Sequence, residues 1–94
     1  MDFTWDSRKA AQNLVKHSVA LADAALIFDG FVTTVEDTRE DYDEQRFVSM
    51  GLFGAQVLVV VHVIEEDSIH LISARKAEKY EARFYWQEYA KYEG

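Results

Sequence analysis

Residues Gln56 to Val63, QVLVVVHV, constrain this chain more than any other segment. Successive strand residues point to opposite sides of a sheet, and here both sides are apolar. Such a strand needs cover above and below, so the segment reads as an interior strand. Its core, Val57 to Val61, is far too short for a bilayer, which takes about 20 apolar residues. Gly51-Leu52-Phe53-Gly54 before it reads as a hairpin turn, and Glu65-Glu66-Asp67 after it reads as a second turn. Ser68 to Ala74 is then the next strand. Upstream, Glu44 to Met50 alternates, with Glu44, Arg46, Val48 and Met50 on one face. Phe31 to Val35 is rich in β-branched residues and reads as a further strand. Connections this short favour an antiparallel meander.

Helical spacing marks the two ends. Asp2 to Trp5 reads as a short first strand, after which Asp6 or Ser7 can cap a helix. Ala10, Ala11, Leu14 and Val15 form its apolar face, and Lys16 and His17 sit at its C-terminal end, where the helix dipole favours cations. A second helix is expected over roughly Ala20 to Phe28, with Gly30 as its stop. The last helix is expected over about Lys76 to Tyr92. Its Tyr80, Phe84 and Tyr85 are expected on the sheet, and Trp86 and Tyr89 on another face, as spare apolar surface for a partner. The order is β-α-α-β-β-β-β-α, an α+β class with a mostly antiparallel sheet.

With 94 residues, 49% of them hydrophobic, the expectation is one domain over 1–94 with a core of its own. The absence of cysteine excludes disulfides and thiolate zinc sites. Met1 to Ala10 has no apolar signal-peptide core, so the expected location is the cytoplasm, with no membrane partner. The net charge of −7 argues against non-specific nucleic-acid binding, which runs on clustered Lys and Arg. The charge is uneven, however. Residues 36–44 hold six acids and one arginine, whereas 75–83 hold four bases and two acids. A small basic surface is compatible with that pattern.

No phosphate-binding loop, dinucleotide fingerprint, zinc-protease motif or nucleophile elbow is present. His17, His62 and His70 lack metal-site spacing, so no metal and no cofactor is expected. Metal-free acid–base chemistry remains. RNA cleavage by its own 2′-hydroxyl is one such reaction. It needs a base, an acid and cations around the phosphorane, which His, Glu, Lys and Arg can supply. The polar residues available are Lys16, His17, Glu44, Arg46, Arg75 and Lys76. Each also has a plainer reading. Lys16 and His17 can serve the helix dipole. Glu44 and Arg46 can be a surface ion pair worth about 0–1 kcal/mol. Arg75 and Lys76 can be solvated helix-start charges. His62, inside an apolar strand, is most simply a hydrogen-bonded core residue.

Read together, FTWDSRKAAQNLVKHSV, ALIFD, EQRF at 44–47, VVVH at 59–62 and ISARKAEKYE at 72–81 resemble the BrnT family, toxins of type II toxin–antitoxin modules. The resemblance runs from Phe3 to about Tyr85. It implies a RelE-like fold, metal-independent RNA cleavage and growth inhibition. It also implies a cognate ribbon-helix-helix antitoxin, with DNA reached only through that antitoxin. The family's WDxxKxxxNxxKH pattern falls on Trp5, Asp6, Lys9, Asn13, Lys16 and His17. Its ExR pattern falls on Glu44 and Arg46, and its ISARKA pattern on Ile72 to Ala77. On this reading Arg46 and Arg75 stabilise phosphate and His17 is a general acid or base. Glu44 is a base or orients Arg46, while Lys16 and Lys76 bind RNA. The chain departs from the pattern at Ser18, where Gly is usual, at Ala20, where Ser is common, and at His70, where Arg is common. The rival reading is a binding module that holds an antitoxin and tunes repression without catalysis.

Overall fold

The computed structural model describes residues 1–93. The interior strand is β4, Gln56–Ile64, in a five-stranded sheet of order β1-β5-β4-β3-β2. β2 (Thr33–Asp37), β3 (Arg46–Phe53), β4 and β5 (Ser68–Lys76) form an antiparallel meander. β1, Asp2–Thr4, joins in parallel along the first part of β5. A mostly antiparallel α+β architecture results, and none of the described helices is long and apolar enough to cross a membrane.

α1 (Ser7–His17), α2 (Leu21–Ala24) and a 3-10 turn (Ala25–Asp29) cover one face of the sheet. Leu21, Ala24, Ala25 and Ile27 meet Leu58 and Val60 of β4 and Ile69, Leu71 and Ala74 of β5 there. The other face is covered only in part. Val57 and Val59 are buried, Val48 and Val61 are half-buried, and Val35 is exposed. The last helix, α3 (Lys79–Glu93), buries Tyr85, whose hydroxyl donates to the Phe31 carbonyl at 3.0 Å.

Several sequence expectations need correction. The β3–β4 turn is Gly54-Ala55, because Phe53 pairs with Gln56; positive φ occurs at Gly54, as a II′ hairpin turn requires at its first position. Gly51 lies inside β3. A Cβ there would sit 2.8 Å from Ile27 Cβ and 2.9 Å from Val32 Cγ1, so the glycine lets the 3-10 turn settle onto the strand. The second helix tightens to 3-10 geometry after Ala24. Gly30 is extended and uses no left-handed conformation; Ser18 does so instead, with φ 58°, and its N–H closes α1 on the Leu14 carbonyl. α3 starts three residues later than expected, which leaves Arg75 and Lys76 in β5. Tyr80 and Phe84 point to solvent; only Tyr85 of that expected trio is buried.

Candidate active site

A β-bulge in β5 shapes the partly open face. Val61 pairs with Ser73, yet His62 pairs with Leu71, so Ile72 has no partner on β4. Strict alternation would put 69, 71, 73 and 75 on one side of the sheet. The extra residue breaks that parity. Ile69 and Leu71 stay in the core, whereas Ser73 and Arg75 turn out to the open face.

The outer edge of β5 is free beyond β1 and is sealed by a side chain. The buried Asn13 amide donates to the Ala74 carbonyl (2.9 Å) and accepts from the Ala74 N–H (3.1 Å), as a neighbouring strand would. The same amide donates to the Val19 carbonyl at 2.8 Å. One helical turn further on, His17 consequently stands beside Ser73 and Arg75.

These residues enclose a cleft. Its floor is Val35, Val48, Val59 and Val61, and its walls carry His17, Ser73, Arg75 and Glu81 on one side and Asp37 and Arg39 on the other. Val35, Val48, Val61 and Ser73 form one rung across four strands; Met50, Val59 and Arg75 form the next. Arg46 shares this sheet face on the opposite side of the valine rung, paired with Asp37. Two strand spacings across and four residues along put its Cα roughly 16 Å from that of Arg75. It lines an adjoining hollow with Glu44, Asp37 and Tyr42. The structure therefore brings His17 and Arg75 into one cleft and leaves Arg46 and Glu44 in the next.

Each arginine here is held by a carboxylate. Glu81 grips Arg75 through two bonds of 2.8 Å, raising the Arg75 pKa and lowering its own. Arg39 grips Asp37 through Nε and Nη2, also at 2.8 Å, and Tyr42 donates to the same carboxylate at 3.1 Å. Hydrogen bonds from Arg39 keep Asp37 far below the usual carboxylate range, although its side chain is buried. Arg46 donates from Nε to Glu44 at 2.9 Å and lies over the Tyr42 ring at 4.2 Å. Glu44 itself belongs to the loop before β3, so the pair does not depend on a shared strand.

The remaining candidates separate. Lys16 lines an outer groove with Lys9, Gln12 and His17. Lys76 follows Arg75 directly in β5 and faces the other side of the sheet, beside Ser18 and Asp23. Trp86 is 46% exposed, while Tyr89 packs edge-on against Phe31. His62 is buried, bonded through Nε2 to Ser49 Oγ at 2.8 Å, with Nδ1 unpartnered among the described residues. Glu81, Asp37 and Asn13 carry the geometry without having been given roles from sequence. Only Glu81 had a local signal: an acid three residues after Glu78, the spacing of a capping box.

A family model described as "Ribonuclease toxin, BrnT, of type II toxin-antitoxin system" matches residues 5–81. The crystal structure of the Brucella abortus ribonuclease toxin BrnT is similar in fold, with a TM-score of 0.62 and 22% identity over 84% of this chain and 99% of that one. A comparison with curated protein sequences finds no match.

Proposed function

The chain belongs to the BrnT family of type II toxin–antitoxin ribonuclease toxins, and from that premise we propose that it cleaves RNA in the His17–Arg75 cleft. The observation that carries this reading is the convergence of those two residues from separate elements, through the Asn13 clasp and the β5 bulge. The reaction is attack of a 2′-oxygen on the adjacent phosphorus. A P–O2′ bond forms, the P–O5′ bond breaks, and one proton leaves the 2′-hydroxyl while another reaches the 5′-oxygen. His17 handles one of these protons, as acid or base, and Arg75 stabilises charge on the phosphorane. No metal or cofactor enters the scheme. Arg46, oriented by Glu44 and Tyr42, holds a neighbouring phosphate of the strand, and Lys16 extends the track beyond His17.

The fold relationship proposed is RelE-like and the working compartment the cytoplasm. A ribbon-helix-helix antitoxin is the proposed silencer, through the aromatic side of α3 around Trp86 and Tyr89 and the acidic 36–44 segment. Support comes from exposed Trp86 and Tyr92, which share that side of the helix with Tyr89. The binding-module reading is favoured by one observation: Arg39, Arg46 and Arg75 are each neutralised by a carboxylate of the chain itself.

Cleavage of RNA by purified protein, with chelator present, tests the reading. Arg75→Ala is expected to lower kcat about 10²–10³-fold, whereas Arg46→Ala, which loses a contact to a neighbouring phosphate, is expected to raise KM with a smaller effect on kcat, both variants remaining folded by circular dichroism. His17→Ala is expected to slow cleavage and change its pH profile. Folded variants that cleave like an active wild type overturn the site. A wild type that neither cleaves RNA nor arrests growth leaves the binding module as the better description.

A further inference from the structure

A guanidinium can hold an anion by either of two edges. The end edge carries Nη1 and Nη2, and the side edge carries Nε and Nη2. Arg39 spends its side edge on Asp37, and Arg46 spends its Nε on Glu44. Arg75 differs. Glu81 takes the end edge, with Oε1 on Nη1 and Oε2 on Nη2, both at 2.8 Å. The other contact is a long one, 3.4 Å, from Nη1 to the Lys76 carbonyl. Nε bonds to none of the described residues, and the Arg75 side chain remains 40% exposed in the cleft.

Glu81 is itself immobilised. Its side chain is 14% exposed, and Oε1 also accepts from the Glu78 N–H at 2.8 Å. That second bond is the N3-to-N-cap half of a capping box, which fixes the carboxylate to the first turn of α3. Arg75 is thus clamped from one end, with an intact bidentate edge left over.

We infer that Glu81 is a positioning residue, which grips the end of the Arg75 guanidinium so that its Nε–Nη2 edge is held ready for a phosphate of the substrate strand. The inference rests on the RNA-cleaving reading of the cleft and gives it a working part. The clamp has two opposite consequences. It adds a negative charge beside the substrate, which weakens ground-state binding. It also holds the cation where charge develops, which serves the chemical step.

Glu81→Gln separates these consequences from a structural role. Glutamine is accepted at N3 of a capping box, so α3 keeps its cap, whereas the two-oxygen grip on Arg75 is lost. The expected result is a kcat lower by about 10–100-fold with KM for RNA unchanged or reduced. A folded Glu81→Gln protein with wild-type kcat overturns the inference. A second readout is independent of cleavage. In nitrogen-15 NMR, the Arg75 Nη signals of the wild type are expected to be separate, because rotation is restrained, and to merge in Glu81→Gln. A 2′-deoxy oligonucleotide, which lacks the attacking hydroxyl, is expected to move the Arg75 Nε–H signal of the wild type. If the wild type cleaves nothing but both NMR signatures are present, the ribonuclease reading falls and the clamp stands as part of an anion site. Merged Nη signals in the wild type, or an Nε–H that ignores the oligonucleotide, overturn the clamp whether or not RNA is cleaved. Should Glu81→Gln fail to fold, the wild-type titration decides alone.

Discussion

On the helix-covered face of the sheet, Thr34, Ser49 and His62 run inward as a chain of neutral hydrogen bonds of 2.7 and 2.8 Å. On the open face, Asp37, Glu44 and Glu81 each hold an arginine. β2 and β3 contribute to both sets, since Thr34 and Asp37 differ in the parity of their positions along β2, as do Ser49 and Arg46 along β3. Dry surroundings decide the first set. His62 lies between the Phe28 ring, edge-on at 5.2 Å, and the Phe47 ring, stacked at 6.1 Å, and burial presses its pKa down to about 4. Access to water and opposite charge decide the second, where ionised groups persist because each has a partner. The covered face therefore keeps its polar groups neutral, and the open face keeps its groups ionised in pairs.

Asn13 joins the two faces, and its loss is expected to have the largest effect on the fold. Asn13→Ala strands the Ala74 N–H and removes donors from two buried carbonyls. Each orphaned group costs about 1–3 kcal/mol, so a loss of roughly 3–4 kcal/mol is expected from urea unfolding. Cleavage by the fraction still folded should also fall, because His17 loses its tether beside Ser73. A loss below about 1 kcal/mol would mean that water seals the β5 edge, and the two faces would then be independent.

Acid should unfasten the faces at different pH. His62 has a folded pKa of about 4, below its ordinary 6.5, so the fold favours the neutral ring. Its contribution is complete above about 6.5 and is lost as pH falls toward 4, roughly 3 kcal/mol in all. Asp37 and Glu81 are also depressed, by hydrogen bonds from Arg39 and Arg75 respectively. Their contributions are complete above their ordinary values of 3.8 and 4.5 and are lost only below them. Unfolding free energy measured across pH 7 to 3 should therefore fall in two stages. His62→Phe, which removes the titrating group, should erase the upper stage and leave the lower one. A single stage below pH 4 in the wild type would show that His62 is not held neutral by the covered face.

Sequence pattern reached the covered face more fully than the open one. β4 was legible because apolar residues on both sides of a strand have few other solutions, and the Asp6 cap because its bond to the Lys9 N–H is local. Gly51 and Gly54 look alike in sequence, yet one serves a close approach by Ile27 and the other a turn. Contacts from distant residues make that distinction. Position along the chain alone cannot reveal the bulge at Ile72, which follows from fitting Ile69, Leu71 and Ala74 to one core. Since the bulge sends Arg75 outward, the arginine could be singled out but its face could not. Tyr80 and Phe84 depart from expectation because aromatic character does not by itself set burial; α3 seats Tyr85 against Phe31 and leaves the other two to solvent.

Ser18 offers the smallest effect. It ends α1 in the left-handed region at φ 58°, which costs a residue with a Cβ about 1–2 kcal/mol. Its neighbour His17 enters the cleft, while Ser18 lines a hollow near Lys76 on the covered side. Ser18→Gly removes the strain but gives the unfolded chain more freedom, so the net gain should be about 0.5–1 kcal/mol. The urea midpoint should rise by the corresponding amount with the slope unchanged. Cleavage should stay at the wild-type rate, because the Asn13 clasp, and not the helix end, sets the position of His17. A stabilised Ser18→Gly protein with altered kcat would place the control of His17 at the α1 terminus and remove Asn13 from that role.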